Sequence, residues 1–239
     1  MRKFKKFAYA HRGLHSENIP ENSLSAFRAA LQQGYGAELD VHLLKDGNLA
    51  VIHDYSLLRT AGCDVQIEDL TTEELSNYPL ANGETIPLFR DVLALWSGKT
   101  PLIIELKSTK DNAAALTDAA VAAMAGYEGL WCMESFDPRC VRHLKKHHPQ
   151  VIRGQLSENF VRNPESKLPF FLKLAMALLL SNFLTQPHFV AYKFADRKIF
   201  SLRLCRKRTP IVTWTLTTQE EFDAAIEEGY IPIFEGFLP

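Results

Sequence analysis

Three carboxylates follow short apolar, strand-like runs in the first half of the chain. Glu38 and Asp40 are two residues apart on one predicted strand, so their side chains point to the same face. Glu105 lies at the end of another such run. Converging carboxylates repel one another unless a cation lies among them, and a set of oxygen ligands favours Mg²⁺ or Ca²⁺ over zinc. The pattern predicts one divalent metal site at these three residues.

Two histidines and two cations complete this set. His11 and His53 end strand-like runs, and an imidazole with its ordinary pKa near ~6.5 is the usual general acid or base. Arg12 can form a bidentate fork to phosphate oxygens, and Lys107 can add a point charge. The alternatives are a hydrogen-bonded histidine under a loop and an ordinary salt bridge at a rim. Taken together, these residues can hold a metal ion and a phosphate and still supply an acid and a base.

Apolar runs of strand length recur along the whole chain, and helical patterns fill most of the segments between them. This alternation predicts an α/β fold, a (β/α)8 TIM barrel. A doubly wound sheet is the competing architecture, but no glycine-rich phosphate loop follows the first run. The predicted helices include Ser23–Gln33, which follows the capping candidate Asn22, and also Ala113–Ala125, Pro138–His147 and Thr217–Glu228. The eight predicted strands are Phe7–Ala10, Ala37–Val41, Leu102–Leu106, Trp131–Glu134, Val151–Leu156, Phe189–Tyr192, Ile211–Thr215 and Tyr230–Phe234.

The barrel prediction places the chemistry at one end of the molecule, because active sites of such barrels lie at the carboxyl ends of the strands. Trp214 can wall an apolar or polyol group there, with buried packing as an equal alternative. Glu134 and Glu235 are further acids at this rim, to which the sequence assigns no role. The residues at or just after predicted strand ends are His11, Asp40, Lys107, Glu134, Trp214 and Glu235.

The length of 239 residues suits a single domain spanning 1–239. The turn signal Lys45-Asp46-Gly47-Asn48 predicts a hairpin that pairs Leu49–His53 with the second strand. The longest interruption of the strand–helix rhythm follows it. We interpret about 55–100 as a subregion inserted after the second strand, beside the mouth of the barrel.

Composition excludes some classes of protein. The net charge of -1, without a long block of one sign, gives no electrostatic footprint for nucleic acid. Four cysteines without metal-ligand spacing, and a basic start without a following apolar region, predict a cytoplasmic protein. The apolar segment 168–184 is too short to favour a crossing helix, which needs ~20 residues. Because it is apolar nearly all round, we expect a homodimer interface or a peripheral contact with a membrane surface there.

The ordered motif series resembles the glycerophosphodiester phosphodiesterase family along nearly the whole chain. This resemblance implies a TIM barrel, a divalent metal held by Glu38, Asp40 and Glu105, and acid–base work by His11 and His53. It also implies hydrolysis of glycerophosphodiesters to glycerol 3-phosphate and an alcohol. The motifs are His11-Arg12-Gly13, Pro20-Glu21-Asn22-Ser23, Glu38-Leu39-Asp40, His53-Asp54, Glu105-Leu106-Lys107, Ser135-Phe136-Asp137-Pro138 and Trp214-Thr215.

The sequence leaves two alternatives to this function. The insertion and the apolar segment 168–184 can admit a lysophospholipid, which would make the protein a lysophospholipase D. A non-catalytic, membrane-associated barrel that binds phosphodiesters is the other alternative, against which the complete set of acid–base and metal residues argues. The chain also departs from the family's pattern at Phe234-Glu235-Gly236-Phe237, where a threonine–aspartate pair is common.

Overall fold

The structure is a computed structural model that describes residues 1–109 and 111–239. Strand formation follows the apolar runs, because each run can be buried on both of its faces. Leu102–Leu106, for example, is buried at every position. The strands in the described residues are β1 (Tyr9–Ala10), β2 (Gly36–Leu43), β3 (Leu49–Val51), β4 (Leu102–Leu106), β5 (Trp131–Ser135), β6 (Arg153–Ser157), β7 (Phe189–Lys193), β8 (Ile211–Leu216) and β9 (Ile231–Phe234).

Eight of these strands are parallel and close into a barrel, because β1 pairs with both β2 and β9. The order around the ring is β1, β2, β4, β5, β6, β7, β8 and β9. Helices alternate with the strands, so the predicted TIM barrel is confirmed. The α-helices in the described residues are α1 (Leu24–Gln32), α2 (Leu58–Ala61), α3 (Phe89–Trp96), α4 (Ala113–Ala123), α5 (Pro138–His147), α6 (Phe170–Ala177), α7 (Asn182–Thr185), α8 (Phe200–Cys205) and α9 (Gln219–Glu227).

The helix after the first strand begins later than the sequence indicates. Ser23 is its N-cap, with a side chain that accepts a hydrogen bond from the Ala26 amide. Asn22, which the pattern offers as the cap, instead has a left-handed backbone (φ 54°) and donates its side-chain amide to Asp40. The Ser23 hydroxyl, which also donates to the Pro20 carbonyl at 2.6 Å, caps the first turn as well as asparagine would. The Asn22 side chain is therefore available for the barrel interior.

The predicted hairpin is present, and β3 runs antiparallel to β2. The segment after it builds a small apolar core of its own, which includes Leu57, Ile67, Leu75 and Ile86. Helix α3 then packs against α1 and β3 and joins the main core. We propose that this small core is the inserted subregion of a single domain.

The segment 168–184 is not one helix, contrary to the helical pattern. It forms α6 and α7, and between them Leu179 has a left-handed backbone (φ 59°) and a side chain that is buried in the main core. The turn lets one leucine pack inward while its neighbours remain outside. Within the residues described, no helix has the length and apolar character needed to traverse a bilayer.

Candidate active site

The strand register brings acidic side chains into one layer at the carboxyl end of the barrel. Asp40 of β2 lies opposite Glu105 of β4, and Glu105 lies opposite Glu134 of β5. Glu38 precedes Asp40 by two residues and shares its face of the strand. One oxygen each of Glu38, Asp40 and Glu105 lies within 4.8 Å of the other two, and all three residues are buried. The predicted convergence of this trio is therefore present.

Burial and mutual repulsion dominate the electrostatics of the trio. Burial, then the charges of Asp40 and Glu105, hold the pKa of Glu38 well above its usual range. Burial also raises the pKa of Glu105 to about 7, although Lys107 opposes it. Asp40 has a lowered pKa, because Lys107, His53 and Arg12 together outweigh its burial. Such a concentration of negative oxygen atoms is what a divalent cation neutralises.

Two buried oxygens of the layer lack a hydrogen-bond partner among the described residues. They are Oδ1 of Asp40 and Oε2 of Glu134. Burial, then the charges of Glu105 and Asp40, also hold the pKa of Glu134 well above its usual range. A buried acceptor without a donor is unfavourable, and a bound cation would relieve this cost. The clustered, partly unpaired carboxylate oxygens of this layer are thus suitable ligands for a metal ion.

The two cations lie directly against the acids. Lys107 Nζ donates to Glu105 Oε1 at 3.0 Å and lies 3.4 Å from Asp40 Oδ1. Arg12 has a left-handed backbone (φ 55°), which turns its amide toward Glu38 Oε2 at 3.3 Å. Its Nε lies 3.4 Å from Asp40 Oδ2. Positive charge is thus fixed beside the trio, where an anionic substrate group could meet it.

His11 lies on one side of the trio, with Nε2 3.9 Å from Glu38 Oε2. Its other ring nitrogen, Nδ1, lies 2.6 Å from Glu235 Oε2. The hydrogen bond from His11 lowers the pKa of Glu235 to about 2. Since an ionised carboxylate can only accept, Nδ1 carries the proton and Nε2 faces the acids. Glu235 also lies 3.5 Å from Nε2 of His15.

His53 lies in the loop that follows β3. Its Nδ1 donates to Asp54 Oδ1 at 2.6 Å. Burial, and secondarily the charges of Lys107 and Arg12, lower its pKa to about 4, while Asp40 acts in the opposite direction. The ring is therefore neutral near pH 7. The charges of Asp40 and Lys107 both act on its pKa.

A chain of ion pairs connects His53 to Arg12. Asp54 accepts a hydrogen bond from Arg59 Nε at 2.5 Å. Arg59 Nη2 also donates to Glu21 Oε1 at 2.7 Å, and Glu21 Oε1 accepts from Arg12 Nη1 at 2.9 Å. Arg59 belongs to α2, so the insertion contributes directly to the order of the site. Sequence reasoning did not find Arg59, because no local motif marks it.

Trp214 lies on β8, opposite Lys193 of β7. Its ring contacts Phe136 edge-on at 5.5 Å between centroids, and Phe136 contacts Phe160 at 6.0 Å. The indole is only partly buried, and its Nε1 has no hydrogen-bond partner in the described part of the chain. The structure therefore places Trp214 in an aromatic wall with Phe136 and Phe160.

Four further residues contact or adjoin the site residues in the structure, and the sequence assigned none of these contacts. Asn22, named as a cap, donates Nδ2 to Asp40 Oδ2 at 2.9 Å. Glu21 bridges Arg12 and Arg59. Glu134 and Glu235 were recognised as rim acids only. The position at a strand end was the available signal for these two, and their partners lie far away in the chain.

A closed (β/α)8 barrel with acids, cations and imidazoles at the carboxyl ends of its strands has the architecture of a TIM-barrel enzyme. The particular family follows from comparison with known proteins. The model of the glycerophosphoryl diester phosphodiesterase family matches residues 11–236. The chain belongs to this family.

Individual relatives agree with this assignment. A glycerophosphodiester phosphodiesterase of Caldanaerobacter subterraneus subsp. tengcongensis is 29% identical over 237 residues, which are 94% of this chain and 91% of the relative. Another, of Bacillus altitudinis, is 43% identical over 107 residues, 41% of this chain and 43% of that relative. The structure of an Oleispira antarctica phosphodiesterase in complex with the product sn-glycerol-3-phosphate superposes with a TM-score of 0.79 at 20% identity. That superposition covers 96% of this chain and 92% of the other, and supports the fold.

Proposed function

We propose that the protein hydrolyses glycerophosphodiesters to sn-glycerol 3-phosphate and an alcohol with the aid of one divalent cation. The observation that carries this proposal is the meeting of the acidic trio, two cations and two histidines at one barrel mouth. The Oleispira antarctica phosphodiesterase with the same fold was solved with sn-glycerol-3-phosphate, which supports the same substrate class here.

Glu38, Asp40 and Glu105 would hold the cation. Their oxygen-only donor set supports Mg²⁺ or Ca²⁺ over zinc. When bound, the cation would act as a Lewis acid that neutralises charge on the phosphate oxygens. Every other part of the reaction falls to side chains of this chain.

Arg12 and Lys107 would bind the non-bridging phosphate oxygens. Both are already held against the acidic trio, at 3.4 Å from Asp40. Their charges would oppose the negative charge that develops around phosphorus, which is the usual main source of catalysis in phosphoryl transfer. Trp214, in its aromatic wall, would pack against the glycerol or the leaving alcohol.

His11 and His53 would transfer the protons. One ring removes a proton from the attacking oxygen, which is either water or the substrate's own 2-hydroxyl. In the second case a cyclic phosphate forms first and is then hydrolysed by water. As the bond between phosphorus and the leaving oxygen breaks, the other ring gives a proton to that oxygen. Each ring has its Nδ1 held by a carboxylate, which leaves Nε2 for the transfer. The ring that gives the proton starts as an imidazolium with a proton on both nitrogens, and the ring that takes one starts neutral.

The test is the separate replacement of His11 and His53 by alanine, assayed with saturating Mg²⁺ or Ca²⁺ against a panel of glycerophosphodiesters. Release of glycerol 3-phosphate should fall by about 10²- to 10⁴-fold in each variant. His147→Ala, on the exposed side of α5, is the matched control and should retain full turnover. Near-normal turnover of both site variants would refute the acid–base proposal.

A lysophospholipase D activity is the second candidate. The observation that favours it is the row of exposed apolar side chains in 168–184, through which we propose contact with a membrane surface or a second copy of the chain. Parallel assays of glycerophosphocholine and lysophosphatidylcholine separate the two substrates.

We also propose a cytoplasmic location, supported by four free cysteines (Cys63, Cys132, Cys140 and Cys205).

A further inference from the structure

Charge is distributed unevenly along this chain. Residues 158–208 contain ten lysines and arginines against three aspartates and glutamates, a formal charge of +7. The whole chain carries -1, which leaves -8 for all other residues. A near-neutral protein thus has one strongly basic region, and this region contains α6, α7 and α8.

The three most exposed of the large apolar side chains in the described residues lie in this same region. Phe171 of α6 is 82% exposed, Phe183 of α7 is 80% exposed, and Phe200 of α8 is 74% exposed. Leucines accompany them on each of the three helices. Exposed apolar side chains that lie together mark an interaction surface, whereas single ones are ordinary. The other members are Phe170, Leu172, Leu174, Leu178, Leu180, Leu184 and Leu204.

Hydrogen bonds fix α6 at the same end of the barrel as the acidic trio. Ser157, the last residue of β6, donates its hydroxyl to the Met176 carbonyl at 2.8 Å. Tyr192, near the end of β7, donates to the Ala177 carbonyl at 3.1 Å, and Ser201 of α8 donates to the same carbonyl at 3.2 Å. The end of α6 therefore sits on the rim of the mouth and is joined there to α8.

A basic groove borders this apolar surface. It has a volume of about 570 Å³, and its walls include Phe200 and Leu204 of α8. Glu228 is the one acid in its lining and pairs with Arg197 and Arg206. No ion pair in the described part of the chain engages the other three cations. The cations that line the groove are Arg197, Lys198, Arg203, Arg206 and Lys207.

We propose that α6, α7 and α8 form a docking surface for an anionic lipid bilayer. The aromatic and leucine side chains would enter the boundary between headgroups and acyl chains, and the groove would bind lipid phosphates. Apolar burial and attraction of lysines and arginines to anionic lipid are the two contributions by which a protein binds a membrane surface without spanning it. The end of α6 is the part of this surface that lies at the mouth of the barrel, whereas α7 and the Arg206 side of the groove lie toward the amino ends of the strands. Docking would therefore bring the α6 side of the mouth to the lipid.

A second copy of the chain fits this surface less well. Homodimers are mostly two-fold symmetric, so the same patch would face itself across the interface. The basic groove beside α8 would then approach the basic groove of the other copy, and like charges would repel. An anionic surface complements both the apolar side chains and the charge.

The proposal is tested by sedimentation with vesicles, which does not depend on catalysis. The full-length protein should bind vesicles of phosphatidylcholine mixed with phosphatidylglycerol, and should bind more weakly at high salt and to phosphatidylcholine alone. Since each lysine or arginine near an anionic leaflet contributes about fivefold, the double variant R203Q/K207Q should bind about 25-fold more weakly. Phe171→Glu should weaken binding at least about tenfold, because a large apolar side chain is lost.

Matched controls lie elsewhere on the surface. Leu238→Glu changes an exposed leucine near the end of the chain, and Arg90→Gln removes an exposed charge on α3. Both should bind the mixed vesicles like the unaltered protein. Absence of vesicle binding, or equal binding by R203Q/K207Q, would overturn the proposal. The proposal would also be overturned if the protein were a dimer in sedimentation velocity and Phe171→Glu made it a monomer. A second copy of the chain would then occupy the surface.

Discussion

Replacement of Glu235 by glutamine tests whether this carboxylate orients His11 for catalysis. Glu235 Oε2 accepts the Nδ1 proton of His11 at 2.6 Å, which directs Nε2 toward Glu38 at 3.9 Å. Glutamine has nearly the same shape but no charge. Its side chain can also present an N–H group to the ring and select the wrong tautomer. The variant therefore weakens the contacts of this side chain with His11 and His15 and leaves the acidic trio in place.

The expected loss can be estimated from this contact. A hydrogen bond to a charged group contributes about 1.5–3 kcal/mol. Glu235 is 34% exposed, so solvent screens part of its charge and favours the lower end. Because about 1.4 kcal/mol corresponds to a factor of ten, kcat should fall about 10- to 100-fold. KM should change little, since in our proposal Glu235 does not touch the phosphate.

Steady-state hydrolysis of glycerophosphocholine with saturating cation measures both parameters. Glu227→Gln is a suitable control, because Glu227 is exposed on α9 and should give unaltered kinetics. Circular dichroism establishes that both variants are folded. A kcat for Glu235→Gln within twofold of the unaltered protein would refute the idea that this carboxylate prepares the ring for proton transfer.

Three further predictions concern the metal and the core. Glu38→Gln replaces a buried carboxyl whose ionised form is disfavoured by burial and by Asp40, so the Tm of the metal-free protein should stay level or rise. The increase in Tm on addition of Mg²⁺ or Ca²⁺ should disappear, and a retained increase in scanning fluorimetry would contradict the ligand role. Phe27, fully buried with its ring edge-on to Trp96, should cost about 3–5 kcal/mol in urea unfolding when replaced by alanine. The exposed Phe171→Ala should change stability by only about 0.5 kcal/mol or less, and equal effects would show that the core assignment is mistaken. Ser23→Ala should cost about 1 kcal/mol in the same assay, and no loss would argue against its role as the N-cap.

The strands and their order could be predicted because the relevant signal is local. A parallel strand buried on both faces is a short apolar run, and β4 was predicted at its observed bounds, Leu102–Leu106. Alternation with helical patterns then restricts the architecture to very few choices. The carboxyl end of each strand follows directly, so the convergence of Glu38, Asp40 and Glu105 could also be expected.

Helix ends and the outer surface were harder to predict. Both Asn22 and Ser23 are good cap residues, and their neighbours in sequence do not decide between them. The barrel decides, because Asp40 accepts the Asn22 amide. Likewise, the apolar segment 168–184 reads as a continuous helix, but the core takes in the Leu179 side chain and the helix ends before it.

The apolar runs and the ordered motifs were enough to predict the barrel, the carboxyl-end position of the acids and the family of the chain. The folded structure was needed to establish which atoms meet: Glu235 with His11, which are 224 residues apart, and Arg59 with Glu21, which are 38 residues apart. The physical reason is that hydrophobic periodicity and turn chemistry act between near neighbours in the chain. A hydrogen bond between distant side chains depends instead on the closure of the barrel and on the path of each loop across its mouth.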